Sequence, residues 1–255
     1  MIAPNRQQAL EMLRATLAAD YACDPACFDR DQTIVVEARI LPGRRRFPIR
    51  AKALTLLTTG RGALISCSAA RLAWVQADLA QRSRQDLFSF TTLAQINEVV
   101  ARDGQTLDGP FPRYLCASDT LRAVAPPAGI RIELIERAEI ERAYACPGFD
   151  NALSYQLDQE RPDMVAVIAW QSGAVVGMAG ASADNDLLWQ IGVDVLPPHQ
   201  GRGIGKALVS RLSAAVLAAG RTPYYATRID HLHSSKTALS VGYWLAWLDA
   251  YVYDR

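Results

Sequence analysis

The chain has 255 residues, 50% of them apolar and 21% charged, a balance that suits an ordinary folded globular protein and excludes a disordered or fibrous one. Lys and Arg number 27 against 26 Asp and Glu, a formal net charge of +1, so bulk electrostatics give no pull toward nucleic acid or an anionic membrane and any anion binding must be local. No run approaches the roughly 18 apolar residues of a membrane span, and five scattered cysteines, Cys23, Cys27, Cys67, Cys116 and Cys146, form no disulfide framework, which together predict a cytoplasmic protein.

Along the first half, 34–40 and 53–58 read as strands, Gly60-Arg61-Gly62 as a turn, and 63–68 as a strand leading into a helix over 71–81. A second helix covers 93–102, and 111–116 reads as another strand. The run Arg44-Arg45-Arg46, with Arg50 and Lys52 beyond it, reads as a solvated turn, or more sharply as a contributor to an anionic ligand. Cys23 and Cys27 are the only close cysteine pair, and the histidines, His199, His231 and His233, all lie far from it, so no metal site is expected.

A Pro/Gly-rich stretch, Ala125-Pro126-Pro127-Ala128-Gly129, divides the chain into an N-terminal α/β module over 1–125 and a second domain over 130–255. In the second, 130–137 reads as a strand and 138–159 as mainly helical, broken near Cys146-Pro147-Gly148. A hairpin follows over 164–170 and 174–183, then a strand over 187–196 stopped by Pro197-Pro198. Apolar residues from Ile204 to Ala219 recur at helical spacing and Gly220 closes the pattern as a cap would. A short strand over 223–227, a helix over 234–241 and an aromatic strand over 243–253 complete the chain.

The segment from Val193 to Leu208 carries the strongest functional signal. An apolar strand passes through a proline stop into Gly201, Gly203 and Gly205 and then a helix start, where close backbone approach, unpaired N–H groups and the helix dipole favour a phosphate-bearing ligand. Arg202 and Lys206 add charge. A Walker A loop is excluded, because Gln200 and Ala207 stand where its first glycine and its hydroxyl belong. A dinucleotide fingerprint fails with Lys206 at its third glycine. What fits is Q-x-x-G-x-G at Gln200, Gly203 and Gly205, preceded by Val195 and Pro197. This resembles the acetyl-CoA signature of the GNAT superfamily of N-acetyltransferases, and His231, Ser234, Ala238, Gly242 and Tyr243 resemble that family's second motif, with His in place of Asn. Pro42-Gly43-Arg44-Arg45-Arg46-Phe47 and Ser234, Ala238, Gly242, Ala246, Trp247 and Tyr251 are similar to bacterial two-part members with a divergent N-terminal module.

The resemblance implies an α/β fold whose C-terminal domain has a mixed, mostly antiparallel sheet flanked by helices. The N-terminal module is left open as a degenerate GNAT-like half, although nothing in 1–125 echoes Gln200–Gly205. Acetyl-CoA is implied as acyl donor, its pantetheine pairing with Val193 and Val195, its pyrophosphate held by Gln200, Gly201, Arg202, Gly203, Ile204, Gly205 and Lys206, and its arm beside Ser234 and Ser235. The partner is an amine acceptor, small molecule or protein, with no nucleic acid, no membrane and a homodimer left open.

Acetyl transfer to an amine needs a proton acceptor, a hydrogen-bond donor for developing charge and a proton for the leaving thiolate. The family's tyrosine acid would fall at Ala238 and its glutamate base at Trp189, so the usual pair is missing. His231, Asp194 and Tyr243 are the catalytic candidates, with Asp186, Ser234 and Ser235 behind them. Histidine titrates near neutrality, yet His231 also reads as a helix-start residue. Asp194 reads equally as a surface acid, and Tyr243 as core packing. Trp189, Trp244 and Trp247 are read first as core and second as walls of an acceptor pocket. No cysteine sits near either motif, so direct transfer in a ternary complex is expected. The competing reading is a non-catalytic acyl-CoA-binding or regulatory protein that retained the cradle and lost the chemistry.

Overall fold

A computed structural model describes residues 2–46, 52–155 and 160–255; Phe47 and Arg50, and the end of the helix expected over 138–159, lie outside the described residues. The chain forms two compact units that interleave the sequence halves. One contains the N-terminal segment ending at Leu13, then Tyr114–Ala226 and His231–Trp244; the other contains Arg14–Arg113, Thr227–Asp230 and Leu245–Arg255. The division expected at 125–130 therefore differs from the compact units, and the Pro/Gly-rich stretch is not a loose tether. Val124 N–H donates to Ser210 Oγ, which itself donates to the carbonyl of Arg122, while Arg122 N–H donates to the carbonyl of Val241.

The helix α1, Arg6–Tyr21, runs from the first unit into the second. Its start is a reciprocal capping box: Gln8 N–H donates to Asn5 Oδ1 and Asn5 N–H donates to Gln8 Oε1. Ala9, Leu13, Thr16 and Leu17 are buried at helical spacing.

The second unit is a mixed sheet with helices. Strands β1 (Thr33–Glu37), β2 (Leu54–Thr58) and β3 (Ala63–Cys67) are followed by the helices α2 (Leu72–Asp78), α3 (Arg84–Leu87) and α4 (Phe90–Ala101) and then by β4 (Gln105–Leu115). The last strand of the chain, β10 (Trp244–Asp254), enters this sheet between β2 and β4, and the order is β1-β3-β2-β10-β4. β1 and β3 are parallel; β2 is antiparallel to both β3 and β10. Arg45, expected in a solvated turn, is instead buried: its Nε donates to Asp20 Oδ2 at 2.6 Å and its guanidinium lies over the Trp247 ring. Asp249 accepts from Arg113 at 2.8 Å and from Trp247 Nε1 at 3.2 Å, a second buried ion pair.

In the first unit, β5 (Arg131–Glu136), β6 (Asp163–Gln171), β7 (Ala174–Ala183) and β8 (Leu188–Val195) form an antiparallel run, and β9 (Thr222–Ala226) joins β8 in parallel. That is the expected mixed, mostly antiparallel sheet. The helix α6 (Ile204–Ala218) buries Ile204, Ala207, Leu208, Leu212 and Val216, which pack with Val165, Val167, Ala179, Ala181 and Ile191 of the strands. The helix α7 (Leu232–Ser240) follows β9. The helix expected over 138–159 is reduced to one turn, α5 (Glu141–Tyr144). After it the chain loops across the sheet, because two carboxylates take up its amides, as described next.

Candidate functional site

The site is built where β8 outlasts its partner. β8 pairs with β7 continuously from Ala183↔Trp189 to Gly177↔Val195, but pairs with β9 only from Leu188↔Thr222 to Ile191↔Tyr225. In an antiparallel ladder alternate residues turn both backbone groups to the same neighbour. Leu196 N–H donates to the Val176 carbonyl, so Gly192 and Asp194 face β7, while Ile191, Val193 and Val195 turn toward β9. Beyond Ile191 that neighbour has gone, and the backbone groups of Val193 and Val195 are directed into an opening. The carbonyl of Val195 is taken by Gln200 Nε2 at 2.9 Å, a bond that ties the loop back to the strand.

From there the chain enters α6 through a one-turn 3-10 helix, Pro197–His199. Gly203 caps α6 in the left-handed region, at φ +84°, which any side chain would strain. The first bond into the helix is Ala207 N–H to the Gly203 carbonyl. The amides from Gly201 to Lys206 find no acceptor among the described residues, so a row of donors faces outward at the positive end of a 15-residue helix. Arg202 and Lys206 are exposed beside it, and Arg202 Nη1 donates to Gln171 Oε1 at 3.3 Å. Donors of this kind, open on the solvent side, fit a diphosphate.

At the point where β8 and β9 part stands Tyr225, the last paired residue of β9. Its hydroxyl lies 2.8 Å from Ser234 Oγ, and burial pushes its ionisation above the usual phenol range. No sequence motif marks Tyr225; only the register of the two strands singles it out. Ser234 lies within α7 and makes a side-chain contact rather than a cap, since the helix begins at Leu232 with His231 as its N-cap. Ser235 is half-buried in the same first turn, its N–H bonded to the His231 carbonyl. His231 is exposed and its side chain makes no capping bond.

The other two catalytic candidates are engaged elsewhere. Tyr243 is buried with its hydroxyl 2.6 Å from Ser213 Oγ, and its ionisation is pushed well above the usual value by that burial. Asp194 accepts from Asn151 N–H at 2.8 Å, Asn151 Nδ2 at 2.7 Å and Ala152 N–H at 3.2 Å. Asp163, fully buried, does the same for the next residues: it accepts from Ser154 N–H and Oγ, Tyr155 N–H and the hydroxyls of Tyr144 and Ser182. These two carboxylates pin the segment from Asn151 to Tyr155 across β7 and β8, where Gly180 and Gly192 leave room for its backbone. Asp186, the remaining acid considered, lies in the β7–β8 connection. Trp189 is buried in the core, and Trp244 is covered by the Arg6 guanidinium.

Residues 133–243 match the family model described as Acetyltransferase (GNAT) family. No curated protein matches the chain. Among solved structures, a GCN5-related N-acetyltransferase-like protein from Streptococcus suis is similar at 21% identity over 64% of this chain and 68% of that one, with a TM-score of 0.46. A GCN5-related N-acetyltransferase from Kribbella flavida is similar at 20% identity over 61% of each chain, with a TM-score of 0.45. A tandem GNAT protein from the clavulanic acid biosynthesis pathway is similar at 16% identity over 61% of this chain and 57% of that one, with a TM-score of 0.46. In each case a sizeable part of the other chain lies outside the match.

Proposed function

We propose, from the match of residues 133–243 to the GNAT acetyltransferase family model, that this protein transfers an acetyl group from acetyl-CoA directly to a primary amine of a small molecule or a protein. The observation that carries the reading is the opening beside Val193 and Val195, which leads into the free amides of Gly201 to Lys206. Acetyl-CoA, when bound, supplies the activated acyl thioester. Val193 and Val195 offer the strand edge on which an amide-bearing arm could lie, and the start of α6 offers donors for its diphosphate. Ser234 and Tyr225, at the parting of the strands, suit the hydrogen-bond donor that a leaving thiolate needs, because Tyr225 is held in its protonated form. Asp194 acts as a positioning residue, fixing Asn151 and Ala152 beside the same strand, and Tyr243 supports the core behind it. His231, exposed at the start of α7, is the remaining candidate to take the proton of the amine, directly or through water.

Thermal unfolding with and without acetyl-CoA, in the wild type and in Gly203→Glu, tests the cradle. Cofactor at about one hundred times its dissociation constant should add about 2.7 kcal/mol to the wild type. The substitution places a carboxylate among the donors and should abolish that gain; no gain in the wild type sinks the reading. The engagement of Asp194 and Tyr243 by structural partners favours a second reading, a non-catalytic acyl-CoA-binding protein. Release of free thiol from acetyl-CoA in the presence of an amine panel separates the two: binding without release supports the second.

A further inference from the structure

The second unit contains a cavity of about 340 Å³ lined by its own residues. It arises from strand lengths. β2 pairs with β10 only from Tyr251↔Thr55 to Leu248↔Thr58 and then turns away through Thr59 and Gly60, so β10 continues from Leu248 back to Leu245 with that neighbour gone. Phe88, Leu245 and Trp247 give the cavity apolar and aromatic walls, while Thr58, Gln85 and Arg84 form its polar part.

Arg84 is the only charged residue in this lining, and the lining holds no carboxylate. Its guanidinium donates to the Gly60 carbonyl, and no carboxylate pairs with it among the described residues. The wall that carries Gly60 is braced. Thr58 Oγ1 donates to the Gly62 carbonyl at 2.7 Å and accepts from Gly60 N–H at 3.0 Å, while Gly62 N–H reaches the Arg30 carbonyl at 2.9 Å. A preformed apolar cavity at the lower end of the usual ligand-site volume, with one half-buried cation free of an acid, selects a small molecule with an apolar body and one anionic head.

We infer that this cavity is a binding site for a small aromatic or branched-alkyl carboxylate, its ring or alkyl body against Phe88, Leu245 and Trp247 and its carboxylate on Arg84. The lining belongs to the second unit alone, and the test needs no acyl donor. Hydrocinnamate is the probe, titrated calorimetrically into the full-length protein, with hydrocinnamyl alcohol as the neutral analogue of the same body. The acid should bind with a dissociation constant below about 1 mM, and the alcohol about tenfold or more weaker. Arg84→Gln should bring the acid down to the level of the alcohol and leave the alcohol unchanged. Leu245→Gln, at a position already 51% exposed and therefore expected to fold, should weaken both ligands alike. Failure of the acid to bind, equal affinity for acid and alcohol, or unchanged affinity in Arg84→Gln with wild-type thermal stability would each overturn the assignment.

Discussion

Gly192→Ala puts the smallest possible side chain where the structure leaves no room for one. A Cβ built on Gly192 meets the carbonyl oxygen of Asn151 at 1.7 Å, its carbonyl carbon at 2.8 Å and Ala152 Cα at 3.2 Å. All three are backbone atoms, so no rotamer change relieves the contact. An unstrained carbon–oxygen contact requires the segment to lift by about 1.5 Å, given the ordinary separation of non-bonded atoms. That displacement takes the amides of Asn151 and Ala152, now 2.8 and 3.2 Å from Asp194, beyond bonding distance. Hydrogen bonds to a charged group contribute about 1.5–3 kcal/mol each, and overpacking alone costs about 1–3 kcal/mol. The two losses overlap, because lifting the segment relieves the clash, so the expected cost is about 3–5 kcal/mol. Urea unfolding gives the stability change, and hydrogen exchange at the Asn151 and Ala152 amides reports whether the segment has lifted. A cost below about 1 kcal/mol, with both amides as protected as in the wild type, would refute this account of why β8 carries a glycine there.

Gly205→Ala should behave oppositely in the free protein, because its Cβ would meet only Val195 Cγ2 at an ordinary 3.7 Å within a helix. A gain of about 0.5–1 kcal/mol is expected from helix propensity, together with a smaller acetyl-CoA-induced rise in melting temperature than the wild type shows. Asp249→Ala leaves Arg113 buried without its carboxylate and Trp247 Nε1 without its acceptor, and should cost about 3–5 kcal/mol in denaturant unfolding, with Asp249→Asn losing less. Burial pushes the Cys116 thiol up to about 11, whereas an unfolded thiol ionises near about 8.5. The stability it contributes is therefore whole below the unfolded value and lost as pH rises toward the folded one. Stability measured across that window should fall at up to about 1.4 kcal/mol per pH unit, and Cys116→Ser should flatten that part of the curve.

Most of the first unit was legible in the sequence because its signals are local: the apolar runs of β6 and β7 about a tight turn, the proline stop after β8, and the glycines before α6 each lie within a few residues. The glycine-rich turn into α6 was legible for the same reason. What escaped depends on partners distant in the chain. α1 was passed over because its buried stripe is built from Ala9, Leu13, Thr16 and Leu17 rather than large apolar residues, although the Asn5–Gln8 capping box was there to be read. The segment expected as helix after Ala138 is held in a turn and loop by Asp163 and Asp194, 9 and 43 residues from the amides they accept. Tyr225 gains its place only from where the pairing of β8 and β9 ends, and Arg45 was read as solvated because Asp20 lies 25 residues away.

The placement of β10 governs how the protein must be made. Residues 245–255 are synthesised after the strands they lie between, yet β10 separates β2 from β4 in the interior of the sheet. Until they arrive, β2 and β4 present bare edges with unpaired backbone groups, the kind that recruit strands from other chains. A stop codon at position 245 would thus leave the GNAT match over 133–243 intact on paper while leaving a nascent chain in which β2 and β4 lack the strand between them. For the same reason a fragment cut at 125–129 is not a smaller version of this protein: each piece would carry a strand or helix segment belonging to the other.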